Sequence, residues 1–165
     1  MADVTITRLA GFGLATILPA KGVEAAQIGA ALGIAITPGA WASGDGALTL
    51  LGTGPGQWLA YADAAAPDWA DALGDRLAGL GGVVDQSSGY VLFRVSGADA
   101  LRLAQKGLPV DLSPVAFAPG AVVVSAIAHI GVIAHHVAPG ILHLAVFRSF
   151  ADSFHHWLEG AAAAS

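Results

Sequence analysis

The 165-residue sequence contains no cysteine. That excludes disulfides, thiolate metal sites, iron–sulfur clusters and cysteine nucleophiles, although it fixes no compartment. Charge is also scarce. Asp, Glu, Lys and Arg make up 12 % of the residues, about half of the ~25 % usual in globular proteins. The seven basic residues are scattered singly and the net charge is −5, so there is no electrostatic footprint for nucleic acid. A long unbroken apolar run is missing too. A membrane-spanning helix needs about 20 mostly apolar residues. The most apolar stretch, Ala121 to Ala134, is interrupted by Ser125, His129 and Gly131 and runs into His135 and His136. Met1 to Arg8 lacks the basic-then-apolar order of a signal peptide. These absences lead us to expect a soluble, cytoplasmic chain that engages neither membrane nor nucleic acid.

What the sequence does have is hydrophobicity carried by small side chains. Hydrophobic residues reach 55 %, there are 22 glycines, and mean hydropathy is +0.67. A chain of this length buries roughly 70 % of the surface it exposes unfolded, enough for one domain rather than two independent ones. The high hydropathy implies that something beyond the core covers part of the surface. Two stretches hold no Asp, Glu, Lys or Arg at all: Ala25 to Gly44 and Leu112 to Phe147. An element with a solvent face normally carries charge there. These stretches are therefore either central strands and loops of an Ala/Gly-rich protein or a subunit interface.

Periodicity supplies the elements. Leu9 to Pro19 reads as a strand, Val23 to Ile34 as a helix apolar nearly all round, and Pro38 to Gly46 as a loop. Ala47 to Leu51 and Gln57 to Ala62 form a hairpin across Gly52-Thr53-Gly54-Pro55-Gly56. Trp69, Leu73, Leu77 and Leu80 follow a 3.6-residue period behind Pro67 and Asp68, and Gly79, Gly81 and Gly82 stop that helix. Val83 to Gln86 and Tyr90 to Ser96 are strands, and Gly97 to Lys106 is a short helix. Asp111 to Gly120 is an irregular connection. Three further strands follow at Val122 to Ala128, Gly131 to His136 and Ile141 to Phe147. A last helix opens on a capping box of Ser149 and Asp152, carries the apolar stripe Phe150, Phe154, Trp157 and Leu158 at i, i+4, i+7, i+8, and ends in a frayed tail from Ala161 to Ser165.

The order strand–helix–strands–helix occurs twice. Gly22 to Ile28 resembles Gly97 to Leu103 as a helix opening, and Pro55-Gly56 resembles Pro139-Gly140, each followed by a strand and a helix. The fold class expected is α+β: one domain over residues 1–165, built from two pseudo-repeated ferredoxin-like halves, about 9–87 and 88–160, with helices packed on antiparallel sheets.

No catalytic, cofactor-binding or metal-binding set assembles. All six histidines lie between His129 and His156. His135 and His136, adjacent on a strand, point to opposite faces, and His155 and His156 are about 100° apart on a helix. Neither pair matches a metal-ligand spacing, so ordinary surface or interface histidines are expected. Gly11-Phe12-Gly13 and Gly52 to Gly56 match no phosphate-loop pattern and read as turns. Asp85 before Ser87-Ser88-Gly89 is an Asx-turn residue rather than a catalytic carboxylate. Arg94 edges a sheet, pairs across an interface or, as a third option, binds a substrate carboxylate.

The stretch Val83 to Ala100, continuing through Lys106 to Leu112, resembles the γ subunit of heterotetrameric sarcosine oxidase. Gly54-Pro55-Gly56-Gln57-Trp58-Leu59, with Gln57 in place of the family's Glu, agrees. So do Ala116-Phe117-Ala118-Pro119-Gly120 and Arg148-Ser149-Phe150-Ala151-Asp152. The resemblance, over roughly Leu51 to Leu158, implies an aminomethyltransferase-like fold and a small structural subunit of a complex with α, β and δ chains. Such a complex oxidatively demethylates sarcosine to glycine. It also implies that FAD, FMN, NAD, zinc and tetrahydrofolate belong to the partner subunits, with none on this chain. Two alternatives stay open: a stand-alone folate- or one-carbon-binding domain, and the equivalent subunit of a related N-methyl amino acid oxidase.

Overall fold

The computed structural model describes residues 2–164. Its elements run β1 (Thr5–Arg8), β2 (Gly13–Pro19), α1 (Ala25–Leu32), β3 (Ala42–Asp45), β4 (Leu48–Gly54), β5 (Gln57–Ala62), α2 (Trp69–Arg76), β6 (Gly81–Asp85), β7 (Tyr90–Ser96), α3 (Ala100–Gln105), β8 (Val122–Ile127), β9 (Ile130–Ala138), β10 (Ile141–Phe147) and α4 (Ala151–Ala163). They divide into two compact units, Gly11–Ser88 and Met1–Ala10 together with Gly89–Ser165. Each holds one five-stranded sheet, ordered β3-β4-β5-β2-β6 in the first and β1-β7-β10-β9-β8 in the second. Every strand pair is antiparallel.

The two orders are one order. Reading the second sheet from β8 gives β8-β9-β10-β7-β1, which maps onto β3-β4-β5-β2-β6 strand by strand. The helices map as well, α3 onto α1 and α4 onto α2. The halves expected from sequence are thus repeats in topology: a strand–helix–strand–strand–helix–strand core with one extra strand (β3 or β8) on the outer edge. The place taken by β6 in the first sheet is filled in the second by β1, from the start of the chain.

That strand was not assigned from the sequence, which gave a single strand over Leu9 to Pro19. Gly11 adopts a left-handed φ of +74° and breaks the run in two. Residues before it pair with β7, from Thr5↔Ser96 to Arg8↔Phe93, and residues after it pair with β5 and β6.

In the first unit, side chains on alternate strand positions meet the helices in one cluster: Ala15, Ile17, Leu50, Trp58 and Ala60 with Ile28, Leu32, Leu73 and Leu77. Each large aliphatic side chain buried this way contributes about 1.5–3 kcal/mol. Gly13 is needed for close approach, since a Cβ there would sit 2.7 Å from the Trp69 ring. Arg76 donates to the Leu32 carbonyl at 2.9 Å, covering one of the carbonyls that a helix end leaves open.

In the second unit, Phe93 on β7 packs its ring 5.7 Å from that of Phe154 on α4. Leu103, Ala104, Leu142, Leu144, Val146 and Leu158 are buried as well. The Ser149–Asp152 capping box does not form. Residues Arg148–Phe150 make a 3-10 turn, Phe150 becomes the N-cap without a side-chain bond, and Asp152 turns to Arg8 at 3.4 Å. In the expected tail, α4 continues to Ala163, while Ser165 lies outside the described residues. Among the described residues, no helix is long and apolar enough to cross a membrane.

Candidate functional site

Three titratable groups of the second sheet, Arg94, His143 and His135, lie in one cross-strand row. Register places Thr7, Arg94, His143, His135 and Val122 side by side across β1, β7, β10, β9 and β8. Directly opposed residues share a sheet face, so these side chains line one side together. His135 and His143 are buried, and their rings meet edge-on at 6.2 Å. Burial, and secondarily the neighbouring His136, pulls His135 down to about 4. It is therefore neutral near pH 7 and brings no charge into the sheet.

His136 points to the other face, as adjacent strand positions must. It stacks on Phe117 at 5.5 Å, and its Nδ1 donates to the Phe117 carbonyl at 2.7 Å. His155 lies 5.5 Å from the Phe93 ring and 3.7 Å from Glu159, and His156 is exposed on the same helix. The reading of ordinary surface or interface histidines therefore needs correcting for three of the six. His135, His136 and His143 are buried residues of the second sheet, and for His135 the neutral imidazole costs far less to bury than a charge. Among the described residues, no group of three or more His, Asp or Glu is placed to hold a metal ion.

Arg94 is not on an edge, since β7 runs between β1 and β10. Its Nε is buried without a hydrogen bond, and it has no ion pair among the described residues. Asp85 accepts the Ser87 N–H at 2.8 Å, the Asx turn expected from sequence. Ser87 then latches that turn to β2: its Oγ accepts from the Leu14 N–H at 3.0 Å and donates to the Leu14 carbonyl at 3.2 Å. The glycine-rich stretches are turns only in part: Gly13 belongs to β2 and Gly52 to Gly54 belong to β4, which leaves the bend at Gly11 and the turn at Pro55-Gly56. Gly52 faces the Gly39 carbonyl, and Gly56 supplies the left-handed corner with φ +61°.

A cleft of about 450 Å³ beside α3 is lined by Asp99, Arg102, Gln105 and Lys106. Its charges serve the chain itself. Asp99 accepts the Asp3 N–H at 2.9 Å and pairs with Arg102 at 3.1 Å. Lys106 donates to the Ala161 carbonyl at 2.6 Å. The Asp3 N–H and the Arg102 guanidinium hold the Asp99 carboxyl below its ordinary range. The cleft thus fastens both ends of the chain to α3.

The charge-free run from Leu112 to Phe147 divides in two. Leu142 to Val146 on β10 are buried throughout, as a central strand requires. Val115, Val124 and Phe147 are exposed, at 92 %, 54 % and 52 %, and Phe147 shields Tyr90 with ring centroids 4.8 Å apart. Sequence reasoning recognised the run but did not separate these parts, because strand order is a long-range property.

The model of the sarcosine oxidase, gamma subunit family matches residues 18–164. The heterotetrameric sarcosine oxidase from Corynebacterium sp. U-96, solved in complex with pyrrole 2-carboxylate, contains a chain of the same fold. Its TM-score is 0.87 and identity 24 %, over 97 % of this chain and 84 % of that one. The glycine cleavage system aminomethyltransferase T from Bartonella henselae shares the fold at a TM-score of 0.72 and 14 % identity. That likeness covers 96 % of this chain but 46 % of the transferase, so the chain spans about half of it. No curated protein sequence gives a significant match.

Proposed function

Because the chain belongs to the sarcosine oxidase gamma subunit family, we propose that it is the small, non-catalytic assembly subunit of a heterotetrameric oxidase. It packs against the large α-type subunit. The assembly demethylates sarcosine oxidatively: sarcosine, O₂ and water give glycine, formaldehyde and H₂O₂, with methylene-tetrahydrofolate formed in place of formaldehyde when the folate is present. FAD, FMN, NAD, zinc and tetrahydrofolate are held by the other chains.

The family match over residues 18–164 carries this reading. The side chains support the non-catalytic part. A reactive centre needs a nucleophile, a base and an orienting group within reach of one reacting atom. Here Asp85 closes a turn, Asp99 fastens Asp3, and His135 is neutral in the sheet. Among the described residues, no group of three or more His, Asp or Glu is placed to hold a metal ion.

The test is co-expression of the full chain with the other subunits, followed by size exclusion with light scattering. A stoichiometric complex is expected, and its turnover of sarcosine should survive Asp85→Asn and His156→Ala. A chain that elutes alone as a monomer would sink the proposal. Tetrahydrofolate binding by the free chain in a calorimetric titration would favour the stand-alone one-carbon-binding domain instead.

A further inference from the structure

Four strands end the two sheets: β1 and β8 in one, β3 and β6 in the other. A sheet edge presents unpaired N–H and C=O groups, and proteins that stay monomeric blunt it with charge, brevity, proline or glycine. Three of the four are blunted. β1 is four residues long and carries Arg8, β3 is four residues and carries Asp45, and β6 opens with two glycines and ends on Asp85. β8 is the exception. Its six residues, Val-Val-Val-Ser-Ala-Ile, include no charge, proline or glycine. They pair with β9 alone, and no other backbone hydrogen bond reaches them among the described residues. The contrast is sharpest against β3, which holds the same place in the other half and keeps its Asp.

The face beside this edge is apolar. Val124 is 54 % exposed and stands in register with Ile133, Ala145 and Leu92. The next row along that face ends at the tilted ring pair of Tyr90 and Phe147. From the edge to Phe147 the segment holds no Asp, Glu, Lys or Arg, so β8 and its two neighbours along the chain offer an incoming strand no charge of their own.

We infer that the outer edge of β8 is the assembly edge of this subunit, extended by an uncharged, apolar strand from the larger subunit. This rests on the proposed membership of an oxidase complex and names the surface used. Strand addition supplies main-chain hydrogen bonds for affinity, and alternate side chains over Val124 supply specificity. A second copy is the poorer occupant. Six paired residues extend about 20 Å, and edge pairing alone covers far less than the ~1,200 Å² of a stable interface. A larger chain can add a strand and cover the exposed Val124 and Phe147 as well.

The experiment compares amide hydrogen exchange of Val122–Ile127 in the free full chain and in the purified complex. It adds the variants Val124→Lys on β8 and, as a control, Val84→Lys at the exposed edge of β6. Alternate β8 amides are expected to slow at least 100-fold in the complex. Val124→Lys should weaken assembly at least tenfold, and Val84→Lys should leave it unchanged. If the complex forms but β8 exchanges as in the free chain, or Val124→Lys assembles undiminished, the inference is overturned while the family role stands. Protection that grows with concentration of the free chain would overturn it in favour of self-pairing. If no complex forms, the family role fails first and this inference with it.

Discussion

Replacing His129 by glycine is expected to stabilise the protein. β8 and β9 are joined by the two-residue turn Ala128-His129, in which both residues adopt left-handed φ, 50° and 67°. Two-residue hairpins favour such turns because their twist matches the strands, and Asn-Gly is the sequence that makes them without strain. Here neither residue is Asn or Gly. A non-glycine residue in this region costs about 1–2 kcal/mol. Glycine removes that cost but adds about 0.5–1 kcal/mol of backbone entropy lost on folding. Both side chains are exposed, so no packing is forfeited, and the net gain should be about 0.5–1 kcal/mol. For a chain of this size that is roughly 1–4 °C in Tm. Gly56→Ala is the mirror control. Gly56 sits at φ +61° with no atom within 4 Å of a built Cβ, so alanine there should cost about 1 kcal/mol through backbone conformation alone. Denaturant unfolding of the full-length variants, read as midpoints at unchanged m-value, measures both. A loss of stability in His129→Gly, or none in Gly56→Ala, would refute the argument from φ.

Two other perturbations test the packing and the buried imidazole. Gly13→Ala forces a methyl to within 2.7 Å of Trp69 and 2.8 Å of the Ala65 Cβ, and overpacking of this kind should cost about 1–3 kcal/mol, seen as a lowered unfolding midpoint. His135 should make stability acid-sensitive. Its folded value, about 4, lies below the ordinary 6.5, so the unfolded chain takes up the proton first. That contribution is complete above about pH 6.5 and lost as pH falls to about 4. The difference is on the order of 3 kcal/mol. Comparing wild type with His135→Leu by denaturation at pH 7 and pH 4.5 should show the wild type losing more. Parallel losses in the two proteins would show that other groups carry the acid sensitivity.

Legibility in the sequence tracked how local the cause was. Alternation of Val91, Phe93 and Val95 against Tyr90, Leu92 and Arg94 places β7 at Tyr90–Ser96, the bounds observed. The turn glycines and the 3.6-residue period of Trp69, Leu73 and Leu77 similarly located α2. β3 was read as loop because Ala-Ser-Gly-Asp has no β-branched or aromatic residue. It is a strand because β4 offers it an edge. The Ser149–Asp152 signature failed because Asp152 has a tertiary partner in Arg8. Histidine burial was equally invisible, since nothing next to His143 in sequence announces that β7 and β9 flank it. At the candidate site, the family resemblance pointed to a partner. The unprotected edge of β8 became visible only once strand order was known.

The place of β1 bears on how the protein is made. β1 is synthesised before the first sheet, yet its pairing partner, β7, begins at Tyr90, after that whole sheet has been made. The sheet of Gly11–Ser88 has all its strands by then and can close as a unit. Until β7 is made, β1 must wait without its partner. Thr5–Arg8 is short, and Thr5, Thr7 and Arg8 are exposed in the finished fold, so the waiting segment is a poor template for aggregation. The second sheet cannot gain its edge until translation has passed β7, so a ribosomal pause just after Ser88 would leave one half foldable and the other half's first strand idle.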